Sequence, residues 1–308
     1  MKESVLKLQT FMSSISKMLI VFCLFFWSNI SSSQSRNASY SKDGSTIVYV
    51  SNVDGINQIF TMNTNGSNKK QLTYLQHSCY YPFFSPDASK IVFMSLAGEH
   101  TIICLIDKDG SNYKALSTEK DMTSDPNWSP DGSQLIFSSA KGGNNNIYVM
   151  DVTGKNWKQL THHEASDQTP SISPDGKHIV FVSNRDGNNE LYIMNSDGTN
   201  VKRLTTDPRS DRVPRWSPDS EKIIWYSREP SKVAGSAKKS WSGAEIYEIQ
   251  KNGSNRKQIT HNSYRDQGPN YVPGKNRVIF TSKRTGTYQL FDFNLETSEV
   301  TQLTNKNE

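Results

Sequence analysis

Cysteine is scarce: three residues in 308, of which only Cys79 and Cys104 lie beyond the N-terminal segment. A small disulfide-rich scaffold is excluded. The repeat described below puts Cys79 just before the first strand of blade 2 and Cys104 in the third, so one strand lies between them. Two strand spacings make roughly 9.5 Å, beyond the ~7 Å that bridged Cα atoms allow. Free thiols are therefore predicted. Long apolar runs are also missing, and the longest, residues 18–27, falls well short of the ~20 residues of a spanning helix. Charge of one sign is in short supply too. The 35 Lys+Arg against 30 Asp+Glu leave +5, or +3 once residues 1–33 are set aside. That field is too weak to argue for a nucleic-acid partner. No linker or low-complexity stretch interrupts residues 34–308, which read as one domain.

The first 33 residues stand apart. Lys2, Lys7 and Lys17 precede the apolar run, and Ser31, Ser32 and Ser33 follow it. A charged start, a short apolar stretch and small residues make a secretory signal peptide, with cleavage expected near Ser33. Cys23 follows Phe22, where lipidation would want a smaller side chain. The expectation is a periplasmic or secreted monomer with no transmembrane helix in the mature chain.

What the chain does have is a period. Leu72-Thr73, Leu116-Ser117, Leu160-Thr161, Leu204-Thr205, Ile259-Thr260 and Leu303-Thr304 recur at intervals of 44, 44, 44, 55 and 44 residues. A repeat of that length, filled with short alternating apolar runs and Gly/Asp/Asn turns, makes one blade of a β-propeller. An all-β, six-bladed propeller of four-stranded antiparallel blades is predicted for residues 34–308.

Blade 4 is the cleanest example. Pro170-Ser171-Ile172 reads as a strand, Ser173-Pro174-Asp175-Gly176 as a turn, and Ile179-Val180-Phe181-Val182 as a strand of β-formers. Glu190-Leu191-Tyr192-Ile193-Met194 and the stretch ending at Leu204-Thr205 complete the sheet. The Pro-Asp-Gly turns are scaffold, since Pro presets φ, Asp bonds its own turn and Gly takes the positive φ. Asp107-Lys108-Asp109-Gly110 lacks the third oxygen ligand and the closing Glu of a calcium loop. Tyr40, Phe84, Trp128, Ile172, Trp216 and Tyr271, one per blade, are expected to pack between blades. The residues before them, Ser39, Phe83, Asn127, Ser171, Arg215 and Asn270, are expected to wall the axial channel. Arg215 there needs a partner or an anionic ligand.

Segments such as Trp128-Ser129-Pro130-Asp131-Gly132, Ile147-Tyr148-Val149-Met150 and Leu160-Thr161 resemble TolB-type propeller repeats, across residues 37–304. The resemblance is to the propeller half of TolB, without its N-terminal α/β domain. It implies the fold, and it extends to propellers of prolyl-oligopeptidase relatives and of polysaccharide lyases. No Gly-x-Ser-x-Gly elbow occurs, which removes the peptidase reading. The Trp-Asp signature of WD repeats is missing as well. Oligogalacturonate and ulvan lyases, similar in repeat type though usually seven-bladed, imply His, Tyr and Arg side chains and in some cases a His-bound metal.

Chain direction places the connections between blades, and the loops between second and third strands, on one face, here called the top. Eleven extra residues around 230–240 in blade 5 fall there. These loops carry His77, His162, His163, His261, Tyr264, Arg212 and Arg265, together with Asp167, Asp211 and Asp266 at one repeated position that reads as scaffold. Lys232, Lys238, Lys239, Arg185, Arg228, Lys283 and Arg284 add a charged rim. A base or acid beside arginines that neutralise a carboxylate is what elimination from a uronic acid requires. On that reading His77 or His163 is the base, Tyr264 the acid or second base, and Arg212, Arg215 and Arg265 hold the carboxylate. The expected function is binding of an acidic oligosaccharide, with elimination by a lyase or dehydratase as its catalytic extension. A divalent metal is compatible with these residues and not required by them. The alternative is a non-catalytic TolB-like scaffold that binds an envelope protein on the same face.

Overall fold

The structure is a computed structural model, and it describes residues 35–231 and 240–305. The expected signal peptide, Cys23 and most of the blade 5 insertion with Lys232, Lys238 and Lys239 lie outside the described residues. The described residues form six four-stranded antiparallel sheets, each taking its strands in chain order. Blade 4 is built from Asp167–Ile172, His178–Ser183, Glu190–Asn195 and Lys202–Arg203. The six-bladed propeller expected from the period is what forms.

The Leu-Thr dipeptide recurs because it pins both backbone groups of one third-strand residue. In blades 1 to 6 its hydroxyl accepts the N–H of Ile59, Ile103, Ile147, Leu191, Ile246 or Leu290 at 2.8–3.0 Å. The N–H of the preceding Leu or Ile donates to the carbonyl of that same residue at 2.8 Å. Each buried backbone pair is thereby satisfied where the short outer strand ends. Ser-Pro-Asp turns behave as expected, with Asp131 Oδ1 accepting from the Ser129 hydroxyl at 2.5 Å and the Ser133 N–H at 3.0 Å.

Blades are joined side to side by apolar clusters. Val180, Val182, Leu191 and Ile193 of blade 4 pack against Trp216, Ile223, Trp225 and Tyr247 of blade 5. The predicted inter-blade aromatics add hydrogen bonds, Trp128 Nε1 to the Phe83 carbonyl and Trp216 Nε1 to the Ser171 carbonyl, both at 3.0 Å. The ring closes in the same way. Ala38, Tyr40, Ile47, Tyr49 and Met62 of blade 1 pack on Val272, Ile279 and Leu290 of blade 6. Asn270 Nδ2 donates to the Ala38 carbonyl at 2.8 Å across that seam. No strand is exchanged between blades 1 and 6 among the described residues.

One irregularity repeats around the axis. The first strand of each blade slips register against the second, as between Gln168 and Ser171 or Arg212 and Arg215. Such a bulge re-aims a side chain. The residues at the slips, Asn37, Tyr81, Asp125, Thr169, Val213 and Gly268, have φ between +49° and +60°. Five of the six precede a proline, and Thr169 and Val213 are β-branched. A left-handed backbone is unfavourable for both kinds of residue.

Candidate functional site

The bulges turn their side chains toward the axis. Tyr81, Asp125, Thr169 and Val213, from four successive blades, line a cavity of about 170 Å³ together with Gln168, Val182, Asn189, Arg212 and Tyr226. Arg215, 6% exposed and within the field of the lining residues Asp125 and Tyr81, has its guanidinium 4.7 Å from the ring of Phe83 on the opposite side of the channel. Arg215 Nη1 donates to the Pro214 carbonyl at 2.8 Å. The expected channel wall thus contains a cation stacked on an aromatic ring rather than a row of polar groups.

The electrostatics of this cavity are set by three groups. Burial raises the Asp125 carboxyl, while a bond from Ser124 and the charges of Arg215 and Arg212 pull it back. Burial pushes the Arg215 guanidinium down to about 10, opposed by Asp125 and Tyr81. Nε of Arg212 and Nε of Arg215 are both buried without a hydrogen-bond partner. Two guanidinium groups face one carboxyl, which leaves an excess of positive charge and unfilled donors beside a small space. A buried donor of that kind is costly unless something accepts from it.

The remaining predicted residues stand higher, on the top face. His77, His163, Tyr264 and Arg265 are all exposed, in the connections entering blades 2, 4 and 6. Asn144 fixes the His163 loop by donating to the His163 and Ala165 carbonyls at 2.8 and 2.9 Å. His163 Nδ1 accepts the Ala165 N–H at 3.0 Å, which sets the neutral ring as the Nε2–H tautomer and turns a donor outward. Of the six residues singled out from sequence, only Arg212 lines the axial cavity, and Arg215 acts on its Asp125. The other four lie on the blade connections and are not among its lining residues. Among the described residues no group of three His, Cys, Asp or Glu is arranged to hold a metal ion.

Sequence reasoning missed Asp125, Tyr81, Thr169 and Val213 as cavity residues. The signal was present as the pattern Tyr81-Pro82, Asp125-Pro126, Thr169-Pro170 and Val213-Pro214, but a pre-proline position ordinarily implies plain extended backbone. The repeated acids divide. Asp167 and Asp266, fully buried, are paired with Arg185 and Arg284 at 3.1 Å and are scaffold as expected. Asp211 at the same register has no such partner.

A β-propeller with a bulge-lined axial cavity is the class that these features define. The TolB beta propeller domain family matches residues 76–245, and the chain belongs to it. No curated protein sequence matches the chain. Among solved structures, the putative TolB from Agrobacterium tumefaciens superposes with a TM-score of 0.64 at 22% identity, covering 74% of this chain and 81% of that one. TolB from Acinetobacter baumannii gives 0.70 at 21% identity, over 85% of this chain and 64% of its own length. An oligogalacturonate lyase in complex with manganese gives 0.60 at 14% identity, over 88% and 78%. These likenesses establish the fold, and the functions in those names belong to those proteins.

Proposed function

We propose that this chain is an exported binding propeller whose axial mouth takes the carboxylate of a uronic-acid residue at the end of an acidic oligosaccharide. The observation that carries the reading is Arg212 on the cavity lining with Arg215 near the same Asp125 carboxyl, both with buried, unpartnered Nε atoms. Guanidinium is the side chain best suited to grip a carboxylate through paired hydrogen bonds. A cavity of about 170 Å³ is below the ~300–1,000 Å³ of a site for a larger organic ligand, so it takes one ring or one acidic end group. A longer sugar chain leaving the cavity runs over the rim where His77, His163, Tyr264 and Arg265 stand. There a base beside a neutralised carboxylate supplies the chemistry of elimination. A divalent metal has no ready-made site in this reading.

The test is calorimetric titration with trigalacturonate and with the same trisaccharide after its carboxylates are reduced to alcohols. The acid form is expected to bind and the neutral form not, and Arg212→Gln to weaken binding roughly tenfold or more. Equal binding of both sugars would remove the carboxylate reading. Near-ultraviolet absorbance of the same mixtures reports any unsaturated product. The second reading, a protein-binding scaffold, is favoured by Tyr74 and Tyr264, which are 75% and 45% exposed on the same face as aromatic anchors would be. It gains if no acidic sugar binds.

A further inference from the structure

Blades 4, 5 and 6 each carry an aromatic pair bridging the second and third strands. Phe181 and Tyr192, Trp225 and Tyr247, and Phe280 and Phe291 have ring centroids 5.8, 5.7 and 6.0 Å apart, with planes inclined by 30°, 28° and 29°. In blades 4 and 6 an arginine four residues after the first aromatic folds back over the pair. Arg185 and Arg284 place their guanidinium carbons 4.7 Å from the Tyr192 and Phe291 rings. Each donates Nε to a serine hydroxyl, Ser183 or Ser282, at 3.0 Å. Each donates Nη2 to the buried carboxylate of Asp167 or Asp266 at 3.1 Å.

Blade 5 keeps every receiving group and lacks the arginine. Asp211, Ser227, Trp225 and Tyr247 occupy the same register, and Glu229 stands where Arg185 and Arg284 stand in their blades. Asp211 is fully buried and Ser227 is 1% exposed. Neither Asp211 oxygen, nor Ser227 Oγ, nor Trp225 Nε1 has a well-aligned hydrogen-bond partner, although the Thr205, Ser227 and Trp225 donors stand close enough to pull the carboxyl down against the effect of burial. Burial without a cation pushes Asp211 up to about 6. A cavity of about 380 Å³ opens beside these groups, lined by Ser227, Tyr247, Glu229 and Glu245 among others, with Asp211 and Trp225 behind its lining.

Neighbouring arginines do not fill the vacancy. Arg209 lies 5.3 Å from the Tyr247 ring, but its ion partners are Glu229 and Asp207. Arg256 stacks on Trp225 and Tyr247 and pairs with Asp207. Arg228 stacks on Tyr226, which lines the axial cavity.

We propose that this slot in blade 5 is a receptor site for a guanidinium group brought by a ligand, either an arginine side chain of another protein chain or a free arginine derivative. Blades 4 and 6 show, within the same molecule, how the occupant sits: fork on the aspartate, Nε on the serine, plane over the aromatic pair. The planar fork is what the site recognises, so a point-charge ammonium fits less well. The slot is separate from the axial cavity and does not depend on what that cavity binds.

The test titrates the full chain with N-acetyl-arginine amide, N-acetyl-lysine amide, N-acetyl-citrulline amide and the peptide Gly-Arg-Gly, reading heat and thermal shift. Arginine amide is expected to bind, lysine amide more weakly, and the neutral citrulline amide not at all. Asp211→Asn and Glu229→Arg are each expected to weaken binding roughly tenfold or more. Glu229→Arg should also raise the melting temperature, because it restores the built-in occupant at an exposed position. A peptide that binds more tightly than the amide identifies a chain as the source, and equal binding identifies a free small molecule. Binding unchanged in both variants, or citrulline binding as well as arginine, overturns the proposal.

Discussion

The two repeated aspartates of blades 4 and 5 should respond to the same substitution with opposite sign. Asp167→Asn removes the partner of Arg185, whose Nη2 reaches both Asp167 oxygens at 3.1 Å, and leaves a largely buried cation uncompensated. Losing one member of a buried pair costs ~3–5 kcal/mol, and with Arg185 17% exposed the lower end of that range is expected. Asp211→Asn removes a carboxylate with no cation. Its folded-state value lies near 6 against an ordinary 3.8, so the folded protein holds a proton that the unfolded chain has released between those values. Stability contributed by the protonated form is complete below the ordinary value and is lost as pH rises toward the folded one. At neutral pH the wild-type carboxylate therefore costs roughly 3 kcal/mol, and at pH 4 about half a kcal/mol. Asparagine escapes that cost. Urea unfolding followed by circular dichroism should show Asp211→Asn more stable than wild type at pH 7.5, with the gain nearly gone at pH 4. Glu245, which burial raises to about 7, is present in both proteins and cancels to first order in the difference. An Asp211→Asn protein as destabilised at pH 7.5 as Asp167→Asn would refute the reasoning, because it would mean that Asp211 already has a partner.

The Leu-Thr pin predicts that Thr161→Val, which orphans the Ile147 N–H, costs about 1–3 kcal/mol in urea unfolding. Thr161→Ser keeps the hydroxyl, as Ser117 does in blade 2, and should cost less than Val; equal losses would assign the position to packing alone. Ending the chain after Thr260 removes blade 6 and strips the apolar faces that it shares with blades 1 and 5. The fragment should be unfolded, and a soluble, cooperatively melting five-blade protein would contradict closure by packing. Burial holds the Cys79 and Cys104 thiols up near 12 and 11, so both should ignore a thiol reagent at pH 8 in the native state and react on unfolding. Fast native reaction of either thiol would show that the blade 2 core opens.

The fold was legible because it is local and periodic. Leu160-Thr161, Ser129-Pro130-Asp131-Gly132 and the alternating third strands each specify a blade from within 44 residues, and Trp128 and Trp216 announced the inter-blade seams by size. The channel wall was legible in part. Arg215 stood out as a charge among Ser39, Asn127 and Ser171, but its stacking on Phe83, the same repeat position three 44-residue periods earlier, crosses the axis, and a period that aligns equivalent positions does not say which of them touch. The axial cavity was hidden for a different reason. Its lining depends on a register slip that sends Thr169 and Val213 into left-handed backbone, a state that their β-branched side chains disfavour. Only the surrounding sheet can hold them there. His77, His163 and Tyr264 were chosen for chemical type and loop position. Those criteria find the top face, but they do not say which of its side chains turn inward.

Departures from the repeat concentrate in blade 5, and they fall on both faces of one strand. Along Lys222–Ser231 the side chains alternate, so Tyr226 reaches the axial cavity while Ser227 lines the second cavity, beside the proposed arginine slot. The first strand of the same blade divides likewise, with Arg212 at the cavity and Asp211 at the slot. In blades 4 and 6 the equivalent acid has its cation, Asp167 with Arg185 and Asp266 with Arg284. A ring held by six copies of the same backbone pin can tolerate unsatisfied side chains in one blade without losing its geometry. That tolerance makes a symmetric scaffold able to carry an asymmetric site. The buried donors of Arg212 and Arg215 and the buried acceptors of Asp211 are complementary in sign to two different ligands, an anion at the axis and a cation outside it.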